Sequence, residues 1–409
     1  MKILFFLGLT LPSTDAAWTR IGFFAAYFQR RGLIADVVGV FPTGSLGKAG
    51  LKIWDNVRIF NICPTINIKN IFFRLLNIFS QVMTLFPLLL FLSPEVVIIS
   101  IPPIDSAVVA YLASRLTQAK VVIDYRDEYE DYKIKSSSGI SRTTFKLLKT
   151  LMTKIYLRSE LVVTVTRSVA ESLSLRGISN VRIVPNGADA TVFRPYDREE
   201  NRQRLGIGKD DFVVVYNGKI GEYYRLDVAI HALARLEKET REKVKLLMVG
   251  TGPDLPKIMA MAKDLELEDN VVYLGVRENR KELAEIISIS DVGIIPYDDN
   301  PLWKSALPAK FFEYCACGVP VIATVHEDSI LSRMLREHQI GLAVSPGDDE
   351  GLKKAIIKIY EDPSYREAAG HRARILIEEQ FDRKKIAEKF LQLVEKTAKT
   401  MYREREQVI

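Results

Sequence analysis

Lys310 and Glu313 are the residues in this chain whose types and spacing say most about chemistry. They stand in the stretch 306–323, where Pro308 leads into a short helix, Gly318 ends it, and the apolar run Val319-Pro320-Val321-Ile322-Ala323 follows. A cation and a carboxylate three positions apart share one helical face. The unpaired N–H groups and the dipole at a helix start attract anions. A phosphate can therefore sit against the helix start and Lys310, while Glu313 accepts hydrogen bonds from vicinal hydroxyls. Phosphate beside vicinal hydroxyls is the chemistry of a nucleotide-sugar. The plainer reading of the same pair is a solvated surface helix, and its surroundings decide between the two.

Four further motifs follow apolar runs. Asn217-Gly218-Lys219-Ile220-Gly221 follows the run 212–216. Its glycine turn lets the backbone approach a phosphate, and Lys219 supplies positive charge. The spacing does not match the dinucleotide fingerprint G-x-G-x-x-G. Gly250-Thr251-Gly252-Pro253 leaves the run 246–249, and Asn186-Gly187 follows Pro185 as a tight turn that tolerates positive φ. Each alone reads as a simple turn. The run 121–124 opens into Tyr125-Arg126-Asp127-Glu128-Tyr129-Glu130-Asp131, a dense acidic and aromatic loop. Such a loop suits sugar hydroxyls or a general base, with Asp127 the candidate, unless it is merely a solvated charged loop. Residues 44–49 imitate a phosphate loop, but Pro42 and Ala49 stand where glycine and Ser/Thr are required. His231, His326, His338 and His371 are scattered, and neither H-E-x-x-H nor Asp-x-Asp occurs. A metal-independent site with no cofactor is therefore expected.

Elements of alternating type must position these residues. Strand candidates in the first half are 3–7, 35–40, 57–61, 96–100, 120–124, 161–166 and 181–184. Those in the second half are 212–217, 245–249, 271–274, 292–296, 319–323 and 341–344. Helical segments such as 20–31, 104–116, 168–176, 225–239, 255–265 and 281–287 separate them. Strand–helix alternation at this spacing predicts an α/β protein with parallel, doubly wound sheets. The 409 residues suffice for two such domains. A charged break at 195–211 suggests an N-terminal domain over 1–200, a C-terminal domain over 201–380, and a final helical segment, 381–409, expected to pack back across the first domain. Two Rossmann-like domains facing a cleft would bring strand C-termini, and the motifs on them, to that cleft.

Charge is unevenly spread. The first 200 residues hold 24 Lys and Arg against 16 Asp and Glu, net +8, and the rest hold 33 against 35, net −2. From Lys133 to Ser159 there are seven basic residues and no acidic one. Leu148, Leu151, Met152, Ile155 and Tyr156 fall on one helical face there, with Lys146, Lys149 and Lys154 off it. A basic amphipathic helix can lie on anionic lipid, and it can equally dock on the sheet. The apolar segment 82–92 is too short to span a bilayer, so it is read as buried or at a membrane surface. Cys63, Cys315 and Cys317 sit in apolar runs and read as packed thiols in a reducing compartment. No cleavable leader is evident, and a cytoplasmic protein peripheral at the inner face of the cell membrane is expected.

Taken together these motifs resemble the retaining GT-B glycosyltransferases of family 4, in the branch acting on lipid-linked or cell-surface sugars. The resemblance covers nearly the whole chain and is strongest from Val181 on. Its pieces are Pro185-Asn186-Gly187-Ala188-Asp189 with Phe193, Tyr216 to Gly221, and Val249 to Pro253. Pro308-x-Lys310-x-x-Glu313-Tyr314, Gly318 to Ala323, Pro346-Gly347-Asp348 and Phe381 complete it. Ile101-Pro102-Pro103 and Asp124-Tyr125-Arg126-Asp127 are similar to that branch in the first half.

The resemblance implies a nucleotide-diphosphate sugar held mainly by the C-terminal domain and a lipid-linked or glycan acceptor held by the N-terminal one. An anionic membrane surface would be a further partner, and no nucleic acid. Glu313 would bind the ribose hydroxyls and Lys219 the diphosphate, helped by Lys310, with Asn217, Gly218, Gly250, Asn186, Gly187 and Leu307 around the donor. Three positions depart from the family. Ser305 replaces the first of two glutamates eight apart, Tyr224 or Arg225 falls where a lysine is usual, and the loop 13–17 lacks the common Gly-Gly. A non-catalytic binder of nucleotide-sugar or lipid is the alternative that Ser305 supports. A nucleotide-sugar epimerase is a third reading, against which the basic amphipathic helix argues.

Overall fold

A computed structural model describes residues 1–8, 16–43, 49–66, 71–102, 104–221 and 223–406. Residues 13–15 of the loop after the first strand and 44–48 of the phosphate-loop imitation lie outside the described residues. The chain forms two compact units, one of Met1–Pro185 with Ile386–Ile409 and one of Asn186–Lys385.

The first unit is built on an eight-stranded sheet. Its strands are β1 (Lys2–Leu7), β2 (Ile34–Pro42), β3 (Gly50–Trp54), β4 (Val57–Thr65), β5 (Val96–Ile101), β6 (Lys120–Tyr125), β7 (Leu161–Thr164) and β8 (Val181–Ile183). Their order is β3-β4-β2-β1-β5-β6-β7-β8, and only β3 runs antiparallel to its neighbour. Helices cover both faces, which is why β5 reads as an apolar run broken only by Ser100, with every residue buried. One face carries the helices Ile71–Leu92, Ile104–Leu116 and Gly139–Arg158. The other carries Ala16–Arg30 and the last helix, Arg383–Glu406, from Ile386 on. The sequence reading placed no strand at 50–54. Its apolar Leu51 and Ile53 are exposed, so burial left no pattern there. What makes the β3–β4 hairpin is Asp55-Asn56, both at positive φ as a two-residue turn of this kind requires.

The second unit has six parallel strands: β9 (Phe212–Lys219), β10 (Val244–Thr251), β11 (Val271–Gly275), β12 (Val292–Pro296), β13 (Val321–Thr324) and β14 (Gly341–Val344). Their order is β11-β10-β9-β12-β13-β14, with apolar cores on both faces. The order reverses between β9 and β12, and ligands of open parallel sheets bind outside the strand ends at such a switch point.

The expected boundary at residue 200 falls inside the second unit. The Ala188 N–H donates to the Phe381 carbonyl at 3.2 Å, the Arg383 N–H donates to the Ala188 carbonyl at 2.9 Å, and Phe193 is buried in that unit's core. The charged composition of 195–211 marks a surface segment, not a junction. The expected helix 225–239 is two, Leu226–Ala234 and Lys238–Lys243. All three cysteines are free and buried.

The last helix holds to the first unit through Phe390, which is fully buried with ring centroids 5.1 Å from Phe24 and 5.8 Å from Phe28. Phe390→Ala is expected to cost about 3–5 kcal/mol of stability, read as a lower urea midpoint.

Candidate functional site

The helix Ala309–Ala316 connects β12 to β13, so its start lies at the switch point beside the end of β9. Pro308 precedes it, and no side chain caps its first turn. Contrary to a solvated surface helix, residues 310–316 are all buried. Lys310 is 7% exposed and Glu313 2%.

The Lys310 Nζ has no hydrogen-bond partner among the described residues. It lies 3.8 Å from the centroid of the Tyr216 ring and 4.6 Å from that of Tyr224, so two π faces are its main compensation. Burial drives its pKa down to about 7, against an upward pull from Glu313. The two side chains form no ion pair. Glu313 is instead held by others: its Oε2 accepts from Asn217 Nδ2 at 2.8 Å and its Oε1 accepts from Arg280. Burial pushes the Glu313 carboxyl up, but Arg280, the Asn217 amide and Arg383 outweigh it and hold it below the usual carboxylate range. Each carboxylate oxygen can accept two hydrogen bonds, so capacity remains for hydroxyls. The Asn217 Oδ1 is also buried without a partner. The site therefore offers a ligand one unused cationic donor and one unused acceptor, where buried polar groups are normally satisfied.

Backbone geometry brings the glycines in. Gly250 and Gly218 are paired across β10 and β9, at φ +137° and +127°. A Cβ on Gly250 would fall 1.9 Å from the Gly218 carbonyl oxygen, and one on Gly218 would fall 3.2 Å from the Lys310 Nζ. Glycine is thus required at 250 for the two strand ends to approach, and at 218 it keeps a side chain from crowding the Lys310 Nζ. The Asn217 N–H donates at 3.0 Å to the Tyr314 hydroxyl, which locks β9 to the helix.

The other expected residues are placed differently. Lys219 is exposed at the end of β9, paired in register with Thr251, and makes no ion pair among the described residues. Leu307 packs half-buried on the core just before the helix. Gly187 accepts from the Arg383 guanidinium at 2.5 and 3.1 Å, and Asn186 precedes it, half-buried. Ser305 closes the short turn Pro301–Lys304, and its hydroxyl donates to the Leu302 carbonyl at 3.4 Å. Arg225 is committed to Asp227 at 2.7 Å, so of the two residues at the family's lysine position it is Tyr224 that touches the site, through Lys310.

Asp127 lies in the first unit, beyond the end of β6. The acidic loop around it is mostly structural. Asp124 pairs with Arg20 at 2.8 Å, both buried, and accepts from the Ser100 hydroxyl at 3.1 Å. Glu130 accepts from Tyr125 at 2.7 Å and Tyr156 at 2.6 Å. Glu128 accepts from Ser172 and Asp131 from Lys149, both at 2.5 Å. Asp127 is left as the carboxylate of this loop without a partner among the described residues. The protein packed around it pushes its carboxyl up, Arg126 pulls it down, Asp124 adds to the push and Arg20 opposes it. The residue is open to solvent, and hydration of the exposed carboxylate limits that shift.

Sequence reasoning missed Arg280 and Trp303, and it named Tyr216 and Tyr224 without giving them a place beside Lys310. Arg280 opens a helix after β11 and stacks 4.9 Å over Phe193; its position just past a strand end was the available signal. Trp303 stacks on Tyr297 at 4.2 Å, and Tyr297 lies 5.7 Å from Tyr224, so aromatics buttress the cage around Lys310. Among the described residues no group of His, Cys, Asp and Glu could hold a metal ion.

Residues 197–376 match the family model of glycosyl transferases group 1. The chain is 26% identical over 211 residues to the N-acetyl-alpha-D-glucosaminyl L-malate synthase of Bacillus anthracis, covering 52% of each protein. It thus spans about half the length of the curated relatives it matches. HepE of Anabaena in complex with UDP superposes with a TM-score of 0.74 at 17% identity, over 97% of this chain and all of that one. WaaG, a glycosyltransferase involved in lipopolysaccharide biosynthesis, gives a TM-score of 0.71 at 16% identity, over 96% of this chain and 99% of that one. These likenesses establish the fold, the GT-B pair of Rossmann-like domains.

Two outcomes follow from this geometry. The unfolded chain protonates Lys310 below its ordinary 10.5, whereas the folded chain does so only below about 7. Between those values the unfolded state binds more protons, so this residue makes stability rise with pH across the window. Lys310→Met is expected to be more stable than the parent at pH 7, with the gap closing toward about pH 10 in urea unfolding. Gly250→Ala is expected to lower stability by about 2 kcal/mol or more, read as an earlier melting midpoint.

Proposed function

We propose that this chain is a retaining glycosyltransferase of family 4. It moves a hexosyl or N-acetylhexosaminyl group from a nucleotide-diphosphate sugar to a lipid-linked or other glycan acceptor at an anionic membrane surface. The observation that carries this reading is the buried Lys310 ammonium without an acceptor, set beside Glu313 and the unused Asn217 Oδ1 at the switch point of a parallel sheet. The UDP bound to HepE and the glucosaminyl transfer named for the Bacillus relative support the donor class. The lipopolysaccharide role named for WaaG supports a membrane-held acceptor.

In this reading the diphosphate lies across Gly218 and Gly250 against the helix start. Charge builds on its β-phosphate as the glycosidic bond to the sugar breaks. Lys310, Lys219 and the first-turn amides stabilise that charge, without a metal ion. One such donor is typically worth about 3–4 kcal/mol of barrier. The phosphate would also keep Lys310 protonated, replacing the solvation that burial removed. Glu313 accepts from the ribose hydroxyls, with Arg280 fixing its rotamer. Asn186, Gly187 and Leu307 complete the donor surroundings. Asp127, the carboxylate of its loop without a partner among the described residues, orients or deprotonates the acceptor hydroxyl. No protein nucleophile is assigned, and the acceptor attacks from the face the leaving group departs.

The membrane contact rests on the helix Gly139–Arg158. Its Met152, Ile155 and Tyr156 dock on the sheet, so the apolar side serves the core. Its Arg142, Lys146, Lys154 and Arg158 are exposed and make no ion pair among the described residues, while Lys149 pairs with Asp131. Those four cations suit anionic headgroups, as a peripheral protein on the cytoplasmic face requires.

Lys310→Ala and Glu313→Ala are each expected to lower transfer about tenfold or more, followed as nucleotide release over a panel of donors. Near-normal turnover in both would remove the site assignment. Asp127→Asn is expected to lower kcat while leaving donor affinity by calorimetry unchanged.

A further inference from the structure

The helix Ile71–Leu92 packs Leu85, Leu89 and Leu92 on the core, yet its outward face is apolar as well. Its inward face carries Asn77, which exchanges both hydrogen bonds with the Ile66 backbone at 2.8 and 3.0 Å. Gln81, 3% exposed, and Thr84, 3.1 Å from the Cys63 sulfur, also point inward. The outward face carries Phe79, Val82, Met83, Leu90 and Phe91 at helical spacing. Phe79 is 63% exposed, Met83 59% and Phe91 80%. A helix on a water-soluble surface places its polar residues the other way round. The neighbouring helix Ile104–Leu116 adds exposed Leu112 and Leu116. Helix Gly139–Arg158, in the same layer over the sheet, adds exposed Leu147 and Leu151 among its cations. Contiguous apolar surface of this kind marks a contact site.

Charge selects the occupant. No acidic residue occurs in 71–92 or in 139–158. A second copy docked face to face would bring Lys146, Lys154 and Arg158 against the same cations. A bilayer with anionic headgroups meets both demands, phosphates for the cations and acyl chains for the apolar stripe. Leu85, Leu89 and Leu92 hold this helix along the surface of the first unit, so its outer stripe faces away from the sheet as a flat face.

We infer that the outer stripe of Ile71–Leu92 inserts into the acyl boundary of an anionic bilayer while Gly139–Arg158 rests on the headgroups. This deepens the membrane-surface reading above and rests on it. The stripe, rather than the basic helix, fixes how deep the protein sits, and the cations select the lipid.

The test uses the full chain with phosphatidylcholine vesicles, with and without phosphatidylglycerol. A dye on Met83→Cys is expected to shift to the blue and to be quenched by brominated acyl chains when anionic vesicles are added. The variant Phe79→Ser/Met83→Ser/Phe91→Ser is expected to float with vesicles at least about tenfold less, with donor turnover in solution unchanged. The insertion is overturned if the dye is unmoved while the protein floats, or if the serine variant floats like the parent. It is equally overturned if the parent sediments as a dimer that the serine variant dissociates without lipid, which makes a second copy the occupant. Absence of parent binding to any vesicle removes the membrane reading itself, a distinct result.

Discussion

A buried ammonium without an acceptor is the constraint around which the second unit is arranged. Removing a cation from water is costly, and neutral packing around it offsets little of that cost. The chain meets the problem with two tyrosine rings above and beside Lys310, and those rings need their own support. Tyr224 leans on Tyr297, which stacks on Trp303. Glu313 is close enough to pull on the lysine but is turned away by Asn217 and Arg280. The carboxylate that would most simply satisfy the cation is thus kept for another purpose. An arrangement that keeps both groups desolvated and apart, with burial pushing Lys310 toward its neutral form, is one that a ligand with complementary charge stabilises.

Much of the fold was legible because parallel strands buried on both faces leave apolar runs, and every run named at the outset lies in or beside a strand. The α/β class follows from that alternation directly. What escaped was structure with no burial signature. The strand 50–54 is exposed and exists because Asp55-Asn56 turns the chain. The unit boundary escaped for the opposite reason. Residues 186–194 look like a loop, but backbone hydrogen bonds to 381–383 tie them into the second unit.

The candidate site was legible where chemistry and local spacing coincide, as at Lys310, Glu313, Asn217 and the glycines. It was not legible where distant elements supply the partner. Arg280 lies 33 positions before Glu313, and nothing local to either predicts the pair. The acidic loop shows the converse limit. Asp124, Asp127, Glu128, Glu130 and Asp131 are equivalent as letters, yet folding assigns a partner to each except Asp127. The tyrosines that tie down Glu130 come from a strand and from a helix 26 residues downstream.

The second unit is an insertion in the first, since Pro185 leads out and Ile386 leads back. During synthesis a domain generally folds once its own segment has emerged, amino-terminal part first. Here the amino-terminal unit lacks Phe390 and its neighbours until the last helix leaves the ribosome. The second unit, begun later, has all its strands first. A nascent chain therefore finishes its lobes in reverse order, and the surface of Ala16–Arg30 that Phe390 covers stays open until that residue has been made.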